Sequence, residues 1–297
     1  MITKKVVILA LAGILAIGGT ACMAEVDSGE NTNQSIKQDS IKVETIEQQK
    51  RIEASDQEVD NEVLPGRGNR AYQYKENDGI FVFYETENEE LYRKLLPEEF
   101  DMPDKMIVHL FVMDFYDIDS EADPYKEISI SLLAKHDGED IWHCVYMPVT
   151  SEQSIIAGQV GLGLPKTLGD IQFTRDDFTY TGTVIDDQGR SGTIAINTKY
   201  YNMTASEEEE IKAFMSLPKI NLLEGEFVQM TRAGGAVNII DVANRYKHLV
   251  TLQGGVATIS FDTSKDNKEH PFDLEASEII AAYYLHNEIP FSLDRKE

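Results

Sequence analysis

Thr179-Tyr180-Thr181-Gly182-Thr183-Val184-Ile185 and Ser191-Gly192-Thr193-Ile194-Ala195-Ile196-Asn197 flank the segment Asp186-Asp187-Gln188-Gly189-Arg190. Both flanks are rich in β-branched residues, and Gly189 supplies the positive φ of a tight reversal, so the stretch reads as an antiparallel hairpin. Runs of the same kind precede it at 80–84, 106–116, 128–134, 141–149 and 171–173, and follow it at 226–232, 236–243 and 256–261. All are expected strands. Helix signals are fewer: 88–96, ending before Pro97; 151–159, led by Ser151 as a cap; and 205–215, with acidic residues in its first turns. The segment 276–288 stays open between helix and strand, because Ile279, Ile280, Tyr283 and Tyr284 suit both. The expected class is mainly β (α+β), antiparallel, with a few peripheral helices.

Outward from this core, the chain begins with Lys4 and Lys5, an apolar run over 6–17, the small residues Gly18-Gly19-Thr20-Ala21, and Cys22. That order reads as an export signal, and the run is short for a bilayer span. A cysteine directly after small residues points to lipoprotein-type cleavage, with lipid on Cys22 as the mature N-terminus. Ordinary cleavage after Ala24, giving a secreted protein, is the rival reading. Both put the mature protein outside the cytoplasm, the first anchored to the bacterial cell membrane through its lipid. Residues 23–64 carry no aromatic side chain and are dominated by Glu, Gln, Asn, Ser, Asp and Lys, too polar to bury a core. The expected organisation is a signal peptide over 1–22, a disordered acidic tether over 23–68 and a folded domain over 69–297.

The formal charge of −25 excludes phosphate-backbone binding, which needs clustered Lys and Arg, and anionic lipid surfaces should repel such a chain. Cys144 is the one cysteine besides Cys22, so no internal disulfide is expected. His143 beside Cys144 suggests a thiol-imidazole pair, but neighbouring strand residues face opposite sides, which favours a buried structural cysteine. His109, His136, His248, His270 and His286 are scattered without metal-ligand spacing, so neither metal nor cofactor is expected.

The chemistry points to Gly158-Gln159-Val160-Gly161-Leu162-Gly163-Leu164-Pro165-Lys166-Thr167-Leu168-Gly169. An ammonium among Leu162, Leu164 and Leu168 loses hydration, which disfavours its charge and frees an amine for imine formation. Lys166 is therefore the leading catalytic candidate. The glycines match neither dinucleotide nor P-loop spacing, and no parallel βαβ pattern surrounds them.

The same stretch resembles the acetoacetate decarboxylase family, whose Schiff-base lysine follows proline in a Gly-x(6)-Pro-Lys-Lys-Leu arrangement. The resemblance extends through Val82-Phe83-Tyr84, Leu91-Tyr92-Arg93-Lys94-Leu95-Leu96-Pro97-Glu98 and Tyr125-Lys126-Glu127, similar to the family's Tyr-x-Glu. It continues in Leu223-Glu224-Gly225, Val237-Asn238 and Ser277-Glu278-Ile279-Ile280, covering roughly 70–295. It implies an antiparallel β-barrel or cone, an imine-forming Lys166, Glu127 as active-site carboxylate, and a pocket including Leu164, Pro165, Thr167, Phe111 and Arg232. Family relatives form oligomers, which implies a possible homo-oligomer here.

Three departures from the family's pattern bear on function. Thr167 replaces the family's second lysine, its arginine falls at or near Asn77, and a second glutamate falls near Phe111. Arg232 or Arg245 is then the candidate for a carboxylate partner. The resemblance implies a carbon-carbon lyase acting on a small-molecule β-keto acid. A non-catalytic small-molecule-binding lipoprotein, and an imine-forming aldolase or dehydratase acting on a larger keto acid, remain alternatives.

Overall fold

A computed structural model describes residues 72–118, 123–223, 226–230, 239–262 and 269–293. The expected signal peptide, Cys22, the tether and Arg232 lie outside the described residues.

The chain starts with β1 (Tyr72–Glu85), α1 (Glu89–Leu95), β2 (Ile107–Ile118), β3 (Tyr125–His136) and β4 (Glu139–Val149). The helix is capped by Asn88, whose side chain accepts from Leu91 N at 3.2 Å, and it ends just before Pro97, as the sequence predicts. Then come α2 (Glu152–Leu162), β5 (Lys166–Asp176), β6 (Thr179–Asp186) and β7 (Ser191–Asn197). The last part comprises α3 (Ala205–Ser216), β8 (Lys219–Leu223), β9 (Glu226–Met230), α4 (Ile239–Arg245), β10 (Val250–Gly254), β11 (Val256–Phe261), a 3-10 turn (Pro271–Asp273), β12 (Glu278–Asn287) and β13 (Phe291–Leu293). The fold is mainly β, as expected.

All the strands belong to one 13-stranded sheet whose main path is β10-β12-β1-β2-β3-β4-β5-β6-β7-β11. Among the described residues no ladder joins β10 to β11, so the barrel is open rather than closed. Pairing along the path is antiparallel except where β5 joins β4, with Met147 opposite Lys166. Parallel neighbours need a crossover, and α2 provides it. The predicted hairpin forms: Gly189 has φ 73°, and Asp186 accepts from the backbone N–H groups of Gln188 at 2.9 Å and Arg190 at 2.8 Å.

Two cores lie on the two faces of the sheet. On one, Phe81, Phe111, Trp142 and Tyr283 pack with Ile211 and Phe214 of α3 and Ile239 of α4. On the other, Ile80, Val112 and Ile128 meet Ile171, Val184 and Ile194 from β5, β6 and β7, which therefore fold back over the first strands.

Two element assignments resolve here. The expected strand over 236–243 is corrected, since its described part belongs to α4, where Ile239, Ile240 and Val242 are buried at helical spacing. The ambiguous 276–288 segment holds β12, a strand between β1 and β10 whose residues 281–285 are all buried. Strands covered on both faces lose apolar-polar alternation, which is why the pattern was indecisive.

Candidate active site

Cross-strand pairing sorts the helix-covered face into rows. Tyr125 faces Phe115, Glu127 faces Met113 and Gly79, Ser129 faces Phe111 and Phe81, and Ser131 faces His109 and Phe83. Side chains two apart on a strand share a face, so the Tyr-x-Glu pair projects Tyr125 and Glu127 together. Lys166 opens β5 beside Met147 and reaches the same face.

Lys166 is 5% exposed; Nζ donates to Glu127 Oε2 at 3.1 Å and to Ser154 Oγ at 2.9 Å. It also lies 5.4 Å from the centroid of the Tyr125 ring. Glu127 is itself only 3% exposed. The Tyr125 hydroxyl is within hydrogen-bond distance of Tyr74, at 3.0 Å. Burial pushes the Tyr125 hydroxyl well above the ordinary phenol range, and the neighbouring Tyr74 and Glu127 charges push the same way, so it stays protonated.

The crossover helix fixes the lysine. Ser151 caps α2 by accepting from Ser154 N at 3.4 Å, and Ser154 and Gly158, one turn apart, share the helix side turned to the lysine stem. Gln159 Nε2 donates to the Lys166 carbonyl at 2.7 Å. Ser154 had escaped the sequence reading, although its i,i+4 relation to Gly158 was visible there.

The expected site residues are partly brought together. Glu127 contacts Lys166, Leu164 is buried in the core below it, Pro165 is half-buried in the connection, and Phe111 lies on the same face one row away. Thr167 is displaced from the expected pocket, because strand alternation turns it to the opposite face from Lys166. Of the expected apolar neighbours, Leu168 is 41% exposed, so the lysine's seclusion comes from α2 and the sheet face. The helix expected to end at 159 runs on to Leu162. Arg245 sits exposed at the end of α4, against Tyr246. Asn77 is fully buried, and neither atom of its side-chain amide has a hydrogen-bond partner.

His143 and Cys144 face opposite sides, as expected: the imidazole packs on Phe100 and bonds the Ile220 carbonyl, whereas Cys144 belongs to the helix-side core. Burial pushes the Cys144 thiol up, so it is a poor nucleophile. Among the described residues no group of His, Cys, Asp and Glu is arranged to hold a metal.

A cavity of about 620 Å³ opens on the opposite face of the sheet, lined by Asp78, Asp114, Arg175, Tyr180, Tyr284 and His286 among others. Its carboxylates are already engaged: Arg175 pairs with both, Tyr284 and His286 bond Asp78 at 2.9 and 2.7 Å, and Lys126 lies 3.3 Å from Asp114. This arrangement neutralises buried charge and offers no activated nucleophile.

Comparison with known proteins agrees with the fold. The family model described as acetoacetate decarboxylase matches residues 63–295. A structure of acetoacetate decarboxylase superposes with a TM-score of 0.56 at 18% identity, covering 82% of this chain and 96% of the other. Acetoacetate decarboxylase from Legionella pneumophila gives 0.54 at 14% identity, covering 78% and 92%. The enduracididine biosynthesis enzyme MppR, complexed with the condensation product of pyruvate and imidazole 4-carboxaldehyde, gives 0.52 at 13% identity, covering 77% and 92%. At such identities the structural likeness speaks for the fold. No curated protein matches the chain. The family match spans most of the sequence and contains both Lys166 and Glu127, so the chain belongs to the acetoacetate decarboxylase family.

Proposed function

We propose that the protein is a carbon-carbon lyase that binds a β-keto acid as an imine on Lys166. The observation that carries this reading is a buried lysine amine within 3.1 Å of a buried carboxylate, Glu127, and 2.9 Å of the Ser154 hydroxyl. The contact lets a proton pass from Nζ to Glu127, leaving an amine with a free lone pair. Acetoacetate decarboxylase is itself a known case of a lysine activated by its surroundings, and membership of its family supports reading the same chemistry at Lys166.

The amine attacks the ketone carbon to give a carbinolamine. Glu127 returns its proton to the departing hydroxyl, water leaves, and a protonated imine remains. Electrons from the bond to the carboxylate flow into that cation as carbon dioxide departs. The enamine then takes a proton at carbon, and water hydrolyses the product from Lys166. Ser154 holds Nζ towards the sheet face throughout, while Tyr125, neutral and buried, adds no competing negative charge.

A second reading has its own support. The positions at which the family resemblance puts an arginine and a second carboxylate hold Asn77 and Phe111, both neutral and buried. This favours imine chemistry that needs only the amine and one carboxylate, as in aldol condensation or dehydration of a larger keto acid.

The test is to incubate the full chain with acetoacetate or pyruvate and borohydride, then map the mass increase. A stable adduct on Lys166, absent in Lys166→Met, is the expected result, and carbon dioxide release separates decarboxylation from the aldol or dehydratase course. Failure to trap any keto acid across a panel would leave a binding protein. We further propose that the protein works outside the cytoplasm, held to the membrane by lipid on Cys22.

A further inference from the structure

A second ammonium reaches the face that carries Lys166. Lys219, the first residue of β8, pairs with Trp142 of β4 in parallel, and its Nζ lies 5.5 Å from the centroid of the Phe111 ring. Its charge also acts on the Cys144 thiol. Cys144 Sγ is 3.4 Å from Ser129 Oγ, and Ser129 is the cross-strand partner of Phe111. The Lys219 amine therefore lies at the Ser129–Phe111 row, directly beside the Glu127–Met113 row where Lys166 is held. Rows on one face of a strand are about 7 Å apart.

Asn221, two residues on, ties the same strand to the site: its Oδ1 accepts from Cys144 N at 3.0 Å and its Nδ2 donates to the Leu162 carbonyl at 3.5 Å. That carbonyl closes the helix whose following turn leads into Lys166. Lys219 is thus positioned by β4 and by the lysine's own connection, although it lies far from both in sequence.

Resting on the imine reading of Lys166, we propose that Lys219 binds a carboxylate of the substrate, and that this carboxylate is the one the substrate keeps. An ammonium placed on a departing carboxylate would stabilise the charge that must vanish as neutral carbon dioxide forms, which raises the barrier. One row away, Lys219 suits an anionic group on the other limb of the ketone. The substrate class is then a keto acid with a carboxylate set apart from the reacting carbon, such as a 3-oxo dicarboxylic acid. Phe111 supports the apolar chain between the two amines.

The experiment compares borohydride trapping of levulinate, whose carboxylate is distal to its ketone, with 2-pentanone, a neutral ketone of similar length. Wild-type protein is expected to reach half-maximal trapping at a concentration at least tenfold lower for levulinate. In Lys219→Met that preference should fall about tenfold, and Lys219→Arg should keep most of it. An undiminished preference in a folded Lys219→Met variant, or no preference in the wild type, overturns the assignment of Lys219 while leaving the imine intact. No adduct on Lys166 with either ketone overturns the imine reading itself. If Lys219→Met does not fold, Lys219→Gln and Lys219→Arg carry the same comparison.

Discussion

A methyl group on Gly158 would lie 2.4 Å from Cδ and 2.7 Å from Cε of Lys166, well inside van der Waals contact. The glycine in the middle of α2 therefore sets where the lysine stem runs, and through it the distance from Nζ to Glu127 and Ser154. Alanine is the better helix former by about 1 kcal/mol, so Gly158→Ala should leave overall stability within about 1 kcal/mol of wild type. The same change pushes the stem aside, and the rate of borohydride trapping should fall tenfold or more; urea unfolding beside the trapping assay separates the two effects. Unchanged trapping would mean that the stem has another path to the carboxylate. The site's first pair was legible only through the Tyr-x-Glu resemblance, since the expected strand begins at residue 128; the structure starts β3 at Tyr125, and strand alternation then puts Tyr125 and Glu127 on one side. Thr167 misled because adjacency in sequence is opposition in a strand. Lys219 could not be found, since nothing local links it to Lys166; only the single parallel bridge of β8 to Trp142 brings it there.

Elements far from the lysine carry a separate acid sensitivity. His270 caps the 3-10 turn by accepting from Phe272 N at 3.2 Å, and its ring stands edge-on to Tyr146 at 4.7 Å. Burial pulls its pKa down from 6.5 to about 4, the Arg190 cation pulls the same way, and Asp186 opposes. A histidine that is harder to protonate when folded stabilises the fold fully above pH 6.5 and loses that contribution as pH falls towards 4. The loss should be on the order of 2 kcal/mol. His270→Asn keeps a good capping side chain and removes the titration, so its unfolding free energy should stay flatter between pH 6.5 and 4. An identical slope in the variant would place the acid sensitivity elsewhere. The β6–β7 hairpin beside this turn was legible because glycine chemistry and β-branched flanks are local signals. Where tertiary packing decides, sequence reading failed: Ile239, Ile240 and Val242 have strand-forming side chains but are buried on α4, against the sheet. In β12 the opposite happened, as burial on both faces erased the period that would have identified a strand.

At the scale of the whole molecule, the parallel pairing of β4 with β5 in a mostly antiparallel sheet creates the site, because the crossover it requires carries Ser154 and Gly158 past the start of β5. The core faces are apolar, so the formal charge of −25 has to be carried largely outside them. Such a chain has no electrostatic attraction to anionic lipid, and membrane attachment then rests on a covalent anchor. The lipid proposed on Cys22 would give an attachment that salt does not reverse, whereas a charge-mediated one weakens as ionic strength rises. The full chain should therefore stay with membranes through a wash in 1 M salt and enter the detergent phase on partitioning, and Cys22→Ser should leave the anchored fraction. Intact mass supplies the decisive reading: a diacylglycerol increment on a chain starting at Cys22 supports the anchor. An unmodified chain starting at Glu25 replaces it with a secreted protein whose catalytic face is unchanged.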